Sequence, residues 1–504
     1  MARIHSGIIL LIKKIDIMID IKAKVHDKFS IEFKVGFVVR RKLKINDFII
    51  NSWFFIPNSL DINSLTYSKK QFYTDVKSNI RLITPRFLLR EIVNGNAYPL
   101  QNLENAFRQM ASDPTRTNTR EYEYQIKMFM AIFKSSIRDE ILNIYNNHLK
   151  EDTAFLCTSY LENLYQITSK YRDLRKIINA PTVSASALNC YFFGDEFMSN
   201  CIEQHTFRLI QYLENLTPEY QPLIAGLKKL ITSEIDYKNE KGYFVVHEQS
   251  KEKNQEIIYR QGILKKYIES DLYLKSDKKR DGVFVEQIYY SIAAGVSMIF
   301  ATAIAFSFQQ KFGNFTVPLF AALVVSYMLK DRIKELMRYY FAHRLGPKYF
   351  DNKINISVKD RTIGWSKEGV DFISDNKVPQ DVMKLRSRSP LLEAENRIND
   401  EKILLYRKRV RINRDKLEKG SKYIISGIND IMRIYINSFT QKMDNPSIPL
   451  FTLDNSNSVN IIKGNKVYFI NIVMQFQYED QIDYKRFRIS CNRSGIFKIE
   501  ELKS

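Results

Sequence analysis

The sequence predicts an α+β membrane protein, in which a two-helix transmembrane hairpin separates a β-then-helical N-terminal cytosolic region from a C-terminal α+β cytosolic domain. Three observations lead to this class. Two charge-free apolar runs lie back to back near residues 288–329. Apolar and polar residues alternate near both ends of the chain, as in half-buried strands. Between the N-terminal strands and the apolar runs, apolar residues recur at helical spacing. The implied divisions are 1–98, an N-terminal β-rich unit with helices; 99–274, a helical cytosolic region; 284–330, the hairpin, with spans at about 288–308 and 313–329; 331–346, an amphipathic juxtamembrane helix; and 350–504, the C-terminal α+β domain.

In order along the chain, the apolar run 7–12 is too short for a secretory signal and reads as a strand. Ile15, Ile17, Ile19, Ile21, Ala23 and Val25 share one face, and Phe29, Ile31, Phe33, Val35 and Phe37 the next, with a turn at His26, Asp27 and Lys28. Strand continues over 43–56, and helices are expected within 72–93. Tyr122, Ile126, Phe129, Phe133, Ile137, Ile141 and Ile144 mark a helix face, as do Leu161, Leu164, Ile167, Tyr171 and Leu174. Thr217, Pro218 and Glu219 suit a helix start. A short strand is expected at 243–246 and a further helix at 257–274.

No charged residue lies between Glu286 and Lys311, or between Lys311 and Lys330. A helix over 288–308 rises about 31 Å, matching a hydrocarbon core. The second run is shorter and spans if its first residues sit in the interface. Pro318 falls in its first turn, where the missing N–H costs little. A turn at 309–314 makes the pair antiparallel. Lys275, Lys278, Lys279 and Arg280 precede the pair, and Lys330, Arg332, Lys334 and Arg338 follow it, while the turn holds only Lys311. By the positive-inside rule both termini are cytoplasmic, in a multi-pass protein of the cell membrane. The same eight cations are the candidate contacts to anionic lipid. Tyr289, Tyr290 and Tyr327 fall at the cytoplasmic interface.

Ala293, Ser297, Ala301 and Ala305 form a small-residue stripe on the first span, and Ala322 and Ser326 on the second. Small residues let helices pack closely in lipid. The stripe serves either packing within the hairpin or a seam between copies. The absence of charged residues inside the spans disfavours ion or proton transport.

Beyond the hairpin, strands are expected within 354–375, a helix over 421–441, and a three-stranded meander from strands at 468–478, 484–491 and 496–499. Lys384, Arg386 and Arg388 lie in a Ser/Pro context that reads as loop. In the basic strand 404–414, alternation puts Arg407, Arg409 and Arg411 on one face and Lys408, Val410 and Ile412 on the other. That strand suggests either phosphate binding or a solvated face.

The chain carries 77 basic and 56 acidic residues, a formal net charge of +21, so an anionic partner is expected unless the excess reflects a general richness in Lys, Ile, Asn and Tyr. Cys157, Cys190, Cys201 and Cys491 form no Cys-x-x-Cys pair, which suits buried reduced thiols. The six histidines stand singly. No phosphate-binding glycine loop or hydrolase motif occurs; no metal or cofactor is expected, and catalytic residues stay unknown, because catalytic groups can meet only in space. Phe193, Gly194, Asp195, Glu196 and Phe197 resemble the Gly-Gly-Asp-Glu-Phe signature of diguanylate cyclases, which sits on a hairpin turn. Phe193 replaces the first glycine, and the flanks read as helices, so Asp195 and Glu196 are assigned to the start of a helix. The expected role is a binding or scaffolding module. Its partners would be a bilayer with anionic headgroups, another protein or a second copy, with nucleic acid the weaker candidate. The alternatives are an effector that oligomerises through its hairpin and perturbs the bilayer, and a membrane-tethered enzyme of unseen site.

Overall fold

In the computed structural model, which describes residues 18–502 apart from 41, 94–97, 148, 182, 217–219, 249, 342–348, 360, 388–400, 420–421 and 455–457, the N-terminal alternation forms an antiparallel hairpin. Strands β1 (Ile19–Asp27) and β2 (Ser30–Val38) meet at an Asp27–Ser30 pair. The Asp27 carboxylate closes the turn by accepting from the Phe29 N–H at 2.9 Å and the Ser30 hydroxyl at 2.5 Å. Strand β3 (Ile45–Ile56) follows, then helix α1 (Lys69–Asp75), capped by Ser68, and β4 (Val76–Leu82). The apolar run 7–12, Ile15, Ile17, the helix start at 217–219 and Arg388 lie outside the described residues.

The chain divides into two compact units. The first comprises Met1–Arg81, Leu274–Lys422 and Ser426–Ser504. Its later strands are β5 (Lys275–Arg280), β6 (Asn352–Val358), β7 (Arg361–Ile373), β8 (Lys402–Asn413), β9 (Gly427–Tyr435), β10 (Ser447–Leu453), β11 (Val459–Asn465), β12 (Tyr468–Tyr478), β13 (Gln481–Asn492) and β14 (Gly495–Leu502). An eight-stranded sheet runs β14-β13-β12-β3-β8-β7-β6-β5, and a four-stranded sheet runs β1-β2-β9-β4. Strand β3 pairs with both β8 and β12, and β2 pairs with β9. Residues 1–98 and 350–504, separate in the sequence reading, therefore share both sheets. Such long-range pairing leaves no local signature in the chain.

The two sheets face each other. Phe33 on β2 meets Phe487 on β13 at 5.6 Å, and Phe48 on β3 lies between Phe37 and Tyr478. On the far side of the large sheet, Trp53, Phe55, Ile403 and Val473 pack against Val378 and Val382. Val382 belongs to a short helix, Gln380–Arg386. Lys384 and Arg386 are thus helical, not loop, and Arg386 is buried against Glu401 at 2.6 Å. The helix expected over 421–441 is instead β9 followed by one turn, Asn437–Thr440. Strands β10 and β11 form a separate two-stranded ribbon whose apolar residues are exposed on both faces.

The second unit, Leu82–Tyr273 with Tyr423–Ile425, is helical. Its main helices are α2 (Tyr98–Ser112), α3 (Arg116–Tyr145), α4 (Lys150–Asp173), α5 (Ala185–Glu214), α6 (Gln221–Lys241) and α7 (Lys251–Glu269). Thr115 and Ser184 cap α3 and α5 through their hydroxyls, satisfying N–H groups left open in a first turn. The residues expected as a strand at 243–246 are irregular. Tyr171 and Tyr191 stack at 5.2 Å beside Gly194 on α5. A Cβ at Gly194 would stand 2.4 Å from the Tyr171 hydroxyl and 2.9 Å from Ile126 Cγ2. Gly194→Ala is expected to cost about 1–3 kcal/mol by overpacking, read as a lowered urea midpoint with unchanged slope.

Between β5 and β6 the chain forms two packed antiparallel helices, α8 (Val283–Phe312) and α9 (Val317–Tyr340). The connecting turn is tighter than the expected 309–314, because α8 stays helical to Phe312. Among the described residues only α8 is long and apolar enough to cross a membrane by length and composition. Helix α9 is apolar to Leu329 and charged beyond it, and it runs unbroken to Tyr340, so the juxtamembrane segment expected from residue 331 continues the second helix. Residues 342–346 of that segment are outside the described part.

Candidate functional site

The pentapeptide at 193–197 lies within α5, not at its start. Asp195 and Glu196 are buried and held in ion pairs. Arg172 from α4 reaches Asp195 at 3.3 Å and Glu234 on α6 at 2.7 Å. Arg260 from α7 reaches Glu196 at 2.6 Å. The Tyr237 and Tyr243 hydroxyls donate to Asp195 at 2.7 and 3.0 Å. One turn on, Lys238 binds Glu203 at 2.8 Å and Asn200 at 3.0 Å. Asp195 thus accepts from Arg172 on α4, Tyr237 on α6 and Tyr243 just beyond α6, an arrangement suited to locking these elements together.

The basic strand β8 alternates as expected. Arg407, Arg409 and Arg411 lie on the half-exposed face and Lys408, Val410 and Ile412 on the buried one. Arg409 and Arg411 both grip Asp47 at 2.6 Å, and Arg407 reaches Asp371 at 3.1 Å. Burial alone would raise the Asp47 carboxyl, but the two guanidinium groups outweigh it and hold it below its usual range. These arginines are thus already paired within the sheet.

Among the described residues, no group of three or more His, Cys, Asp or Glu is placed to hold a metal. Burial pushes the Cys157 thiol to about 11 and the Cys201 and Cys491 thiols to about 12. Burial, then nearby Arg208, Lys134 and Arg138, lowers His205 to about 4.

A cavity of about 500 Å³ lies where the helix pair joins the sheet. Six of its thirteen lining residues are aromatic, the character of a small-molecule site. Lys69 and Tyr73 come from α1. Arg280, Asp281 and Gly282 form the corner from β5 into α8. Glu286, Tyr289 and Tyr290 come from the first turns of α8, Phe341 from the end of α9, and Tyr349, Phe350, Asp351 and Asn352 from the approach to β6. Gly282 takes a left-handed conformation (φ 75°) that lets the chain turn directly from strand to helix. Its carbonyl then accepts from the Glu286 N–H at 2.8 Å.

Asp351 anchors the inner wall. It takes Lys69 at 2.9 Å, the Tyr73 hydroxyl at 2.9 Å and the Val370 N–H at 2.8 Å. Burial, then the charge of Asp351, drives the Tyr73 phenol well above its usual value. Burial would lower Lys69, but hydrogen bonds to Asp371 and Asp351 outweigh it and keep the ammonium charged. Asp281 pairs with Lys367 at 2.8 Å. At the rim, Arg280 pairs with Glu286 at 3.0 Å, and Tyr290 donates to Glu286 at 2.8 Å. The Tyr289 ring stacks on Phe341 at 4.7 Å.

The packing residues read from the sequence lie on the two helices as follows. Ala293, Ser297 and Ser326 are buried, while Ala301, Ala305 and Ala322 are half-buried. The Ser326 hydroxyl donates across the pair to the Ala301 carbonyl at 3.2 Å. Of the candidate lipid contacts, Lys275, Lys278, Lys279 and Arg280 form β5 and are exposed. Lys278 also reaches Glu368 at 2.6 Å. Lys330, over the Tyr327 ring at 3.9 Å, follows the apolar part of α9, and Arg332, Lys334 and Arg338 line its charged half. The cavity itself was not read from sequence, because three distant segments build it. The doublet Tyr289-Tyr290 and the cluster Tyr349, Phe350 and Asp351 are the local signals that point to it. No family model, curated protein or solved structure matches the chain.

Proposed function

We propose that this chain is a two-span protein of the cytoplasmic membrane that acts by binding, presenting a paired-sheet unit and a helical unit to a partner on the cytosolic side. The observation that carries the reading is the pairing of β5, just before the helices, with β6, just after them. Strands on the two sides of a bilayer cannot share hydrogen bonds, and β3 and β2 likewise pair with strands that follow the helices. An even number of crossings is the arrangement compatible with those sheets. If α8 crosses, α9 must bring the chain back, although its apolar part is short. Bilayer thinning and interfacial placement of residues 313–316 accommodate it.

The test is fractionation followed by crosslinking in membranes. The chain should stay in the membrane pellet through alkaline carbonate, and crosslinked peptides should join its sheet unit to one recurring partner. Release by carbonate, or a chain that crosslinks to nothing, overturns the reading. Ser297→Leu should wedge the helices apart and cost about 1–3 kcal/mol, seen as a lower melting temperature in detergent. Unchanged melting with loss of crosslinked dimer would place the stripe between copies instead.

A further inference from the structure

We propose that the aromatic cavity at the base of the helix pair holds the headgroup of a zwitterionic phospholipid carrying a primary ammonium. The inference rests on the membrane reading above and names a ligand for the site. Position is its first support. Tyr289 ends the cytosolic side of the apolar run, and the stripe beyond it, Ile292, Val296 and Ile299, is 47, 44 and 71 % exposed. A headgroup in the cavity would leave its acyl chains along that stripe, at the depth where headgroups lie.

Charge is the second support. Lys69, Arg280, Lys367 and Arg407 stand against Asp281, Glu286, Asp351 and Asp371, four charges of each sign. A simple anion would face Glu286 at the rim, and a simple cation would face Arg280. A zwitterion satisfies both. The rim pair is the exposed one, with the Arg280 side chain 70 % exposed and Glu286 30 %. It can open without breaking the sheet. Arg280 then takes the phosphate in charge-assisted hydrogen bonds, and Glu286 takes the ammonium. The rings of Tyr289 and Tyr349 supply the electron-rich faces that attract an ammonium.

The experiment uses the full chain in detergent, stripped of lipid and examined by native mass spectrometry with phosphatidylethanolamine or phosphatidylglycerol added. Retention of phosphatidylethanolamine should be about ten-fold the greater, as one charge-assisted contact implies. Arg280→Gln and Glu286→Gln should each abolish the preference, whereas Lys176→Gln, exposed in the helical unit, should keep it. Circular dichroism must match wild type for the comparison, and Arg280→Gln is the variant least able to disturb folding. Equal retention of the two lipids, or a preference unchanged in both rim variants, overturns the proposal. So does displacement of the lipid by soluble glycerophosphoethanolamine at equal concentration, which would assign the site to a free metabolite. Carbonate release would overturn the membrane reading itself; a carbonate-resistant chain without lipid preference would overturn this inference alone.

Discussion

Replacing Asp430 with alanine is expected to lower the stability of the sheet unit by about 3–5 kcal/mol, the usual cost of stranding a buried charge. Asp430 on β9 pairs with Lys408 on β8, and their side chains are 4 and 3 % exposed. The pair sits between the two sheets, where the Ser78 hydroxyl on β4 also donates to Asp430 at 2.5 Å. Lysine has no acceptor and cannot find water at that depth, so its ammonium is left uncompensated. The double variant Lys408→Met with Asp430→Leu should recover most of the loss, because removing both charges also removes both desolvation costs. Urea denaturation of the detergent-solubilised chain measures each. Equal losses in single and double variants would mean that packing, not charge, sets the cost.

Arg172→Met should have an effect of similar size, about 3–5 kcal/mol, in the helical unit. Its guanidinium joins α4 to two other helices through Asp195 and through Glu234, which it meets with two nitrogens at 2.7 and 3.0 Å. Burial would weaken the guanidinium's hold on its proton, but Glu234 outweighs it and the group is charged at any ordinary pH. It also lies 3.5 Å from the Tyr237 ring centroid. Methionine fills the space but strands two buried carboxylates. Arg172→Lys should restore only part of the loss, since an ammonium cannot reproduce the planar, two-nitrogen contact. Hydrogen exchange localised to α5 and α6 separates this from global loosening: faster exchange there, with the sheet unit unchanged, is the expected pattern.

Much of the architecture was legible where one face of an element is uniformly apolar. The alternation of Ile31, Phe33, Val35 and Phe37 marks β2, and the 3.6-residue recurrence from Tyr122 to Ile144 marks α3. Strand β9 was misread because its buried face carries Asp430 beside Ile428, Met432 and Ile434. A charge in the inward series hides the two-residue period, and only the Lys408 partner on β8 explains it. Tyr243 invited a strand, but its hydroxyl is held by Asp195 and its N–H bonds back to the Lys238 carbonyl at 2.8 Å, closing the end of α6. Asp195 and Glu196 looked like helix-start residues because exposed acids favour first turns. Their cations, Arg172 and Arg260, arrive from other helices. The cavity was illegible for the same reason: the β5–β6 pairing brings the starts of α8 and β6 together, and Lys69 reaches Asp351 from α1.

The central claim is that α8 and α9 cross a bilayer and return, leaving both sheet-forming ends on the cytosolic side. Cysteine accessibility in intact spheroplasts tests it directly, with Gln310→Cys near the turn and Leu65→Cys and Ser447→Cys in exposed positions before and after the helices. A membrane-impermeant maleimide should label Gln310→Cys without permeabilisation, and Leu65→Cys and Ser447→Cys only after it. Labelling of Gln310→Cys only after permeabilisation, or of Leu65→Cys and Ser447→Cys on opposite sides, would contradict it.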